Sequence, residues 1–153
     1  FMNGLRGNSH LEELWLLRIA DRQETRTLAA ALHENKGLVD LSVSFLELDD
    51  SDRTELLDAI SLHPSLRFLD LEMEYSDIDP QTRREFTEAV ADMLSVNERV
   101  KVMIFNDKTF DKDIWDAFVE PRLECNFYWE RFPSILEIEE ASTRAAVLAE
   151  ALA

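Results

Sequence analysis

The sequence contains few of the residues that interrupt regular structure or cross-link a chain. Its 153 residues include only 3 Gly and 4 Pro, and such a composition argues against a loop-rich or disordered protein. The single cysteine, Cys125, cannot form an internal disulfide, as is usual for proteins of reducing compartments. We therefore expect an intracellular protein, cytoplasmic or nuclear, in which Cys125 is a small core residue.

Long apolar runs and positive charge are also scarce. No apolar run approaches the roughly 18 residues that a membrane helix requires, so we expect no membrane partner. Lys and Arg number 16 against 32 Asp and Glu, which gives a net charge of −16 spread along the chain. A field of this sign repels phosphate backbones, so we expect no nucleic-acid partner and favour a basic one.

Motifs that carry catalysis or metal binding are missing as well. The sequence holds no phosphate-binding loop, nucleophile elbow or zinc-ligand spacing. His10, His33 and His63 are far apart in the chain, and we interpret them as solvated or turn-bonding side chains. We therefore expect no enzyme activity, no cofactor and no metal site.

Two acidic stretches have the look of sites, and each has a simpler interpretation. Asp49, Asp50 and Asp52 are spaced like the start of a calcium loop, but the Gly at the sixth position and the Glu at the twelfth are missing. Helix N-capping explains these acids without a metal. We interpret Glu139 and Glu140 as the first turn of a helix and not as a catalytic pair.

What the sequence does contain is an internal repeat. The pattern Leu-x-x-Leu-x-Leu, or a close variant of it, begins at Leu11, Leu38 and Leu66. A fourth copy with substituted apolar residues begins at Val100, and the intervals between copies are 27, 28 and 34 residues. Each copy predicts a short strand in a protein built from stacked repeats.

The segments between these strands predict helices that begin at an Asp. Asp21 and Asp52 each precede a Glu by three residues, as in a capping box, and Asp79 stands directly before Pro80. Counted from Asp21, Asp49 and Asp79, the last apolar residue follows after 11, 11 and 15 residues, and the next strand pattern begins 6 residues later. Apolar residues four apart share one helical face: Leu28 and Leu32; Leu56 and Ile60; Phe86, Val90 and Leu94.

These segments resemble the leucine-rich repeats of ribonuclease-inhibitor-like proteins over residues 1–126. The resemblance is carried by the strand segments LEELWL, LVDLSV, LRFLDL and VKVMIF and by the helix segments LAAALHENKGL, LLDAISLHPSL and VADMLSVNERV. It implies an α/β fold, a horseshoe-shaped solenoid with parallel strands on the concave side and helices on the convex side. Ile19, Leu46 and Glu74 stand where the family has Asn after the strand, so we expect no asparagine ladder.

The end of the sequence predicts a C-terminal helical cap. Trp115, Val119 and Leu123 recur every four residues as in a helix, and we expect Pro121 to end or kink that helix. Trp129 falls where the first Leu of a fifth strand would stand, which indicates an aborted repeat. We therefore divide the chain into leucine-rich repeats over 1–126 and a cap with a tail helix over 127–153. One face of that tail helix is apolar: Ile138, Ala145, Leu148 and Leu152.

The first residues match the second half of a repeat. Residues 1–11 align with residues 28–38, with apolar and Asn positions in register. We therefore expect residues 1–5 to be helical and to stack on residues 28–32. On this interpretation the chain is the C-terminal piece of a longer solenoid.

Strand alternation predicts a binding surface, because residues between the inward Leu positions face solvent on the concave side. This surface combines acids with aromatic and aliphatic residues and has no Lys or Arg, which suits a basic or amphipathic protein partner. Alternatively, the tail helix or further repeats cover Trp15 and Phe68, or these aromatics merely suit a strand. We expect Val102 and Ile104 to lie beneath the C-terminal cap. The predicted members are Glu13, Trp15, Leu17, Asp40, Ser42, Ser44, Phe68, Asp70, Glu72, Val102, Ile104 and Asn106.

The resemblance implies a non-catalytic scaffold for protein–protein interaction, and three alternatives remain open. One is a regulator or inhibitor of a basic enzyme, although ribonuclease inhibitor is rich in Cys and this chain is not. A second is actin capping, because the order of strands and helices is similar to the C-terminal repeat domain of tropomodulin-like proteins. The third is GTPase regulation, because Ran-activating proteins use this repeat type. The sequence predicts no oligomeric state.

Overall fold

The computed structural model describes residues 2–19, 21–45, 49–73, 78–104, 106 and 108–131. Its strands are β1 (Glu13–Ile19), β2 (Asp40–Phe45), β3 (Phe68–Met73) and β4 (Val102–Met103). Its helices are α1 (Met2–Arg6), α2 (Arg22–Glu34), α3 (Asp50–Leu62), α4 (Pro80–Val96), α5 (Lys112–Ile114) and α6 (Glu120–Arg131). A π-helical turn at Trp115–Val119 joins α5 to α6. The predicted tail helix, including Glu139 and Glu140, lies outside the described residues.

The four strands form one parallel sheet in the order β1-β2-β3-β4. Equivalent positions of the sequence repeat pair across it, since Leu14 pairs with Leu41 and Leu41 pairs with Leu69. Leu69 in turn pairs with Met103 of β4, a strand of 2 residues. The parallel strands predicted from the repeat are therefore confirmed.

The core lies between the buried side of the sheet and the helices. Inward strand residues such as Leu41, Leu69 and Leu71 form one cluster with apolar residues of the helices. The apolar residues predicted to share helical faces are all buried: Leu28, Leu32, Leu56, Ile60, Phe86, Val90 and Leu94. Removal of this contiguous apolar surface from water is the main favourable term in folding.

Aspartates begin the long helices, and two of them act as predicted. The side chain of Asp21 accepts a hydrogen bond from the backbone N–H of Glu24 at 2.8 Å. The side chain of Asp79 accepts from the N–H groups of Gln81 and Thr82, each at 3.0 Å. Each bond satisfies an N–H group that has no partner within its helix.

The cap of α3 differs from the prediction. Asp49 is the N-cap, and its side chain accepts a hydrogen bond from the N–H of Asp52 at 2.9 Å. Asp52 therefore lies inside the first turn, where it is buried and accepts a hydrogen bond from Nε of Arg26 at 2.8 Å. The capping box predicted at Asp52 is wrong, because this carboxylate ties α3 to α2 instead.

Helix α1 packs as the alignment of residues 1–11 predicts. Leu5 is buried in the core cluster, and α1 lies against α2. The carbonyl of Leu5 accepts a hydrogen bond from Nδ2 of Asn35 at 2.7 Å. The prediction of a helix that stacks on α2 is confirmed for the described residues.

Polar side chains are stacked at the turns that join each helix to the next strand. Nδ2 of Asn97 donates to the carbonyls of Ile60 and Ser61 in the preceding repeat, at 3.1 and 3.0 Å. Its Oδ1 accepts from the N–H groups of Arg99 and Val100 at 2.7 and 2.8 Å. We call this stack the corner ladder and define it by Asn8, Asn35, His63, Asn97 and Asn126.

The asparagine ladder expected to be absent is the one after each strand, and the corner ladder lies at a different place, before each strand. After β1, the position expected to hold an Asn is indeed filled by a buried Ile19, whereas Leu46 and Glu74 lie outside the described residues. The repeat instead satisfies backbone groups before each strand. The sequence places Asn35 three residues after Leu32 and Asn126 three residues after Leu123, but this spacing alone does not reveal the bonding role of the position.

The C-terminal part of the described chain is helical, and its predicted apolar face is buried. Trp115, Val119 and Leu123 all contact the core cluster. The N–H of Glu120 donates to the carbonyl of Trp115, which closes the π-helical turn directly before Pro121. Pro121 has no N–H to continue an ordinary helical ladder, so a local change in hydrogen bonding at this point is expected.

The repeat that the sequence indicates is aborted at Trp129 forms no strand there. Helix α6 continues through this residue to Arg131. Asn126 keeps the bonds of its ladder position toward the preceding turn, but the residues after it stay helical. Within the described residues, no helix is both long and apolar enough to span a bilayer.

Candidate binding surface

The residues between the buried strand positions form an exposed side of the sheet. The strand register aligns Glu13 with Asp40 and Trp15 with Ser42, so predicted residues of neighbouring strands stand side by side. The side chain of Leu17 lies outside the described residues. We call this surface the sheet face and define it by Glu13, Trp15, Leu17, Asp40, Ser42, Ser44, Phe68, Asp70, Glu72, Val102, Ile104 and Asn106.

Large apolar side chains on the sheet face are open to solvent. Trp15 is 67% exposed and Phe68 is 44% exposed. The tail helix that the alternative places over them lies outside the described residues. Val102 and Ile104 are exposed as well, and most of the cap expected to cover them lies outside the described residues. Exposed aromatic residues within one rigid sheet are the kind of side chain that anchors protein interfaces.

Carboxylates cluster beside these apolar residues. Glu13 and Asp40 are direct partners on adjacent strands, and Asp70 lies on the next strand. Burial, together with the charges of Glu13 and Asp70, raises the pKa of Asp40 above its usual value. A cation bound here would relieve that repulsion, so the sheet face is suited to positive charge.

Two hydrogen bonds fix polar members of the sheet face. Oγ of Ser42 donates to Oδ2 of Asp70 at 3.1 Å, across the β2–β3 pair. Nδ2 of Asn106 donates to Oε1 of Glu72 at 2.8 Å. Because these carboxylates are already held in place, the sheet face loses less conformational freedom when a partner binds.

The acidic stretch before α3 is paired with arginines. Asp49 forms an ion pair with Arg22 at 2.9 Å, and Asp52 forms one with Arg26 at 2.8 Å. The described residues contain no group of three or more side chains that could hold a metal ion. Burial raises the pKa of the half-buried Cys125 thiol, which disfavours its reactive thiolate form.

Packing of two repeats creates a second surface that the sequence analysis did not identify. A cavity of about 390 Å³ lies where α3 and α4 end and β3 and β4 begin. Its apolar residues Leu62 and Val96 stand two positions after Ile60 and Leu94, a shared spacing that could have indicated them. We call it the corner cavity and define it by Leu62, His63, Arg67, Val96, Arg99 and Asn126.

Comparison with known proteins supports the fold. No family model matches the sequence, and no curated protein matches it. Among solved structures, the tropomodulin C-terminal domain from Caenorhabditis elegans is similar, with a TM-score of 0.51 and 18% sequence identity. The match covers 89% of this chain and 96% of that chain. The likeness is one of architecture, and it shows that this chain has a leucine-rich-repeat-like α/β fold.

Proposed function

We propose that this chain is a non-catalytic protein-interaction domain that binds a basic or amphipathic segment of a partner on its sheet face. The observation that carries the proposal is the exposure of Trp15 and Phe68 beside the carboxylates of Glu13, Asp40 and Asp70. We also propose a ribonuclease-inhibitor-like solenoid over 1–126 with a cap over 127–153, and an intracellular location.

The aromatic residues and the carboxylates of the sheet face would have separate roles in binding. A buried aromatic anchor at an interface contributes on the order of 2 kcal/mol or more, so Trp15 and Phe68 would supply most of the affinity. The carboxylates would attract a basic partner and reject acidic ones, which affects association rate and specificity. The net charge of −16 extends this attraction beyond the sheet face.

Affinity capture with mass spectrometry tests the proposal. The wild-type chain is compared with a double variant, Trp15→Ala plus Phe68→Ala, which we expect to lose partner signal about tenfold or more. The matched control is Phe118→Ala, which removes an exposed aromatic side chain outside the sheet face. Recovery of the same partners in equal amount by both variants and the wild type would contradict the proposal.

A regulator or inhibitor of a basic enzyme is the form of this function that the charge pattern supports best. Such a complex depends on attraction between opposite charges, so its affinity should fall as salt is raised. Binding that is independent of salt would count against a basic enzyme as partner. It would leave an apolar partner as the remaining occupant of the sheet face.

Actin capping is a second candidate, and the structural likeness to the tropomodulin C-terminal domain supports it. The test is actin filament elongation with and without this chain. We expect slower elongation in the micromolar range if the candidate is right, and an unchanged rate removes it. The GTPase-regulating alternative rests on repeat type alone, and an unchanged rate of GTP hydrolysis would remove it in the same way.

A further inference from the structure

The corner cavity gathers positive charge in a strongly acidic protein. Arg67, Arg99 and Lys101 line it, with Glu98 as the one carboxylate among the lining residues that the structure describes. Nη1 of Arg67 donates to the carbonyl of Leu66 at 3.0 Å, and the side chain of Arg99 is exposed. The local charge is thus opposite in sign to the net charge of −16.

Two buried polar atoms of cavity residues have no hydrogen-bond partner among the described residues. They are Nε2 of His63 and Oδ1 of Asn126. Nδ1 of His63 accepts bonds from the N–H groups of Ser65 and Leu66, so in the neutral ring Nε2 carries the hydrogen and is a donor. Unpaired buried groups of this kind are costly, and here one donor and one acceptor are involved.

Oδ1 of Asn126 is unpaired because the corner ladder ends there. In the preceding position, Oδ1 of Asn97 accepts two N–H groups of the chain that leads into β4. After Asn126 the chain remains in α6, so no such turn is formed. The last ladder position therefore offers an acceptor of the type that elsewhere binds peptide N–H groups.

The rim of the corner cavity is apolar. Leu62 and Val96, at the ends of α3 and α4, are 69% and 67% exposed. A volume of about 390 Å³ falls in the range of about 300–1,000 Å³ that is typical of ligand pockets. The cavity thus combines cations, a donor, an acceptor and an apolar edge.

We propose that the corner cavity binds an acidic peptide segment of a partner protein in which apolar residues alternate with carboxylates. The carboxylates would pair with Arg67 and Arg99, and the apolar side chains would pack on Leu62 and Val96. The peptide backbone, which presents both C=O and N–H groups, would supply partners for His63 and Asn126. A small inorganic anion would satisfy only the cations, which is why a peptide fits better.

The charge of Arg67 supports this assignment through its effect on His63. Together with burial, the larger cause, it lowers the pKa of His63 to about 4, so the ring is neutral at pH 7. A carboxylate beside Arg67 would offset that charge. The pKa of His63 should therefore rise when an acidic peptide is bound.

The test uses the full 153-residue chain and a fluorescein-labelled hexapeptide of alternating Leu and Glu, measured by fluorescence anisotropy at low salt. We expect this peptide to bind about tenfold or more tightly than matched hexapeptides of alternating Leu and Gln or alternating Gly and Glu. Arg67→Gln plus Arg99→Gln should weaken binding about tenfold, and Leu62→Ser plus Val96→Ser should weaken it to a similar extent. Arg84→Gln is the control, because this exposed Arg pairs with Glu88 on α4.

Circular dichroism confirms that each variant is folded before affinities are compared. In the nitrogen-15 NMR spectrum, the peptide should shift the Asn126 amide and the His63 ring, and inorganic phosphate should not compete at equal concentration. The proposal is overturned by equal affinity for the Leu–Gln peptide, by full competition from phosphate or by unchanged binding to the double Arg variant. Absence of binding overturns it too, including the case in which residues 132–153 already fill the cavity.

This site is separate from the sheet face, and the two proposals can fail independently. Trp15→Ala plus Phe68→Ala should leave the affinity for the Leu–Glu peptide unchanged. Loss of that affinity in this variant would place the acidic peptide on the sheet face and overturn the corner cavity as its site. The capture of basic partners, in contrast, does not depend on Leu62 or Val96.

Discussion

At the scale of single residues, His63 is the exception in the corner ladder. The ladder positions in the other repeats hold Asn, and the amides of Asn35 and Asn97 both accept and donate. His63 supplies the acceptor through Nδ1, with bonds of 3.3 and 3.2 Å from Ser65 and Leu66. Oγ of Ser65 supplies a donor, to the carbonyls of Lys36 and Leu38. His63 and Ser65 together thus make the acceptor and donor hydrogen bonds that a single Asn makes in other repeats.

Because the acceptor in this repeat is a titratable imidazole, the stability of the fold decreases in mild acid. The pKa of His63 falls from 6.5 to about 4 on folding, so the unfolded chain binds the proton more strongly. Stability from this group is therefore full above pH 6.5 and is lost as the pH falls toward 4. Protonation also converts Nδ1 to a donor, which removes both bonds to the turn. The loss between pH 7 and pH 4 amounts to about 3 kcal/mol.

His63→Asn should remove this component of the acid sensitivity, because Asn accepts the same turn bonds without titrating. The measurement is urea unfolding of both proteins at pH 7, 6 and 5. We expect the variant to gain stability relative to the wild type at each lower pH. His33→Asn is the control, since His33 is exposed. Parallel pH profiles for wild type and His63→Asn would show that the buried imidazole does not titrate as inferred.

Asn97 occupies a complete ladder position, so its removal should be costly. Asn97→Ala removes two bonds to carbonyls and two bonds from N–H groups of the turns, and we expect a loss of about 3 kcal/mol. Asn8→Ala is a graded comparison, because the exposed Asn8 accepts only from His10 and Leu11 and should lose about 1 kcal/mol. Equal losses in urea unfolding would mean that the bonds between repeats contribute nothing.

At the scale of elements, the strands and long helices follow from the sequence because local rules determine them. Alternation sets which side of β2 is buried, and four-residue spacing sets the inner face of α4. Asp79 before Pro80 gives the start of α4 directly. Where several acids compete, as at Asp49 and Asp52, local sequence did not decide which one caps the helix, because a contact with α2 decides it.

The continuation of α6 past the last repeat could not be predicted for a similar reason. Asn126 has the correct spacing for a turn into a fifth strand, and its Nδ2 donates to carbonyls of the preceding repeat as in the other ladder positions. Whether a turn follows depends on which has the lower free energy, a chain that leaves the helix after Asn126 or one that continues it. Residues after Asn126 continue α6 to Arg131, so intrinsic helix formation prevails over the repeat pattern there.

The turns before adjacent strands approach each other closely, and Gly37 permits this approach. A Cβ on Gly37 would lie 2.8 Å from the backbone carbonyl oxygen of Ser9. Gly37→Ala should therefore force the first two repeats apart and cost about 1–3 kcal/mol. Gly4→Ala is the matched control, because nothing lies within 4 Å of the added group and Ala favours helix α1 by about 0.5–1 kcal/mol. The melting temperature should fall for Gly37→Ala and rise for Gly4→Ala. A change in the same direction for both variants would contradict the close contact at Gly37.

At the scale of the whole molecule, the sign of the local charge distinguishes the acidic sheet face from the basic corner cavity. The sheet face could be predicted, because strand alternation alone places Trp15 and Asp40 on the same exposed side. The corner cavity could not, because it forms only when the ends of α3 and α4 pack beside β3 and β4. The composition shows the net charge of −16, but it does not show that basic residues gather at the corner cavity.

Asp40 connects stability to binding on the sheet face. Its raised pKa means that the folded state holds the proton more strongly than the unfolded state. The charged form therefore destabilises the fold, and this penalty develops as the pH rises above the usual range of an Asp carboxyl. At neutral pH the fold carries an unfavourable charge on the surface that we propose binds basic segments, a pattern that functional sites often show.

Asp40→Asn should therefore raise the melting temperature at pH 7 while it weakens binding of a basic peptide. The probe is a hexapeptide of alternating Leu and Lys, and the control is Asp58→Asn, which removes the same charge from the exposed side of α3. We expect Asp40→Asn to lose several-fold more affinity than the control, because only Asp40 lies beside Glu13 and Asp70. If both variants lose affinity equally, the attraction comes from the net charge of the molecule, and the arrangement of acids on the sheet face has no specific role.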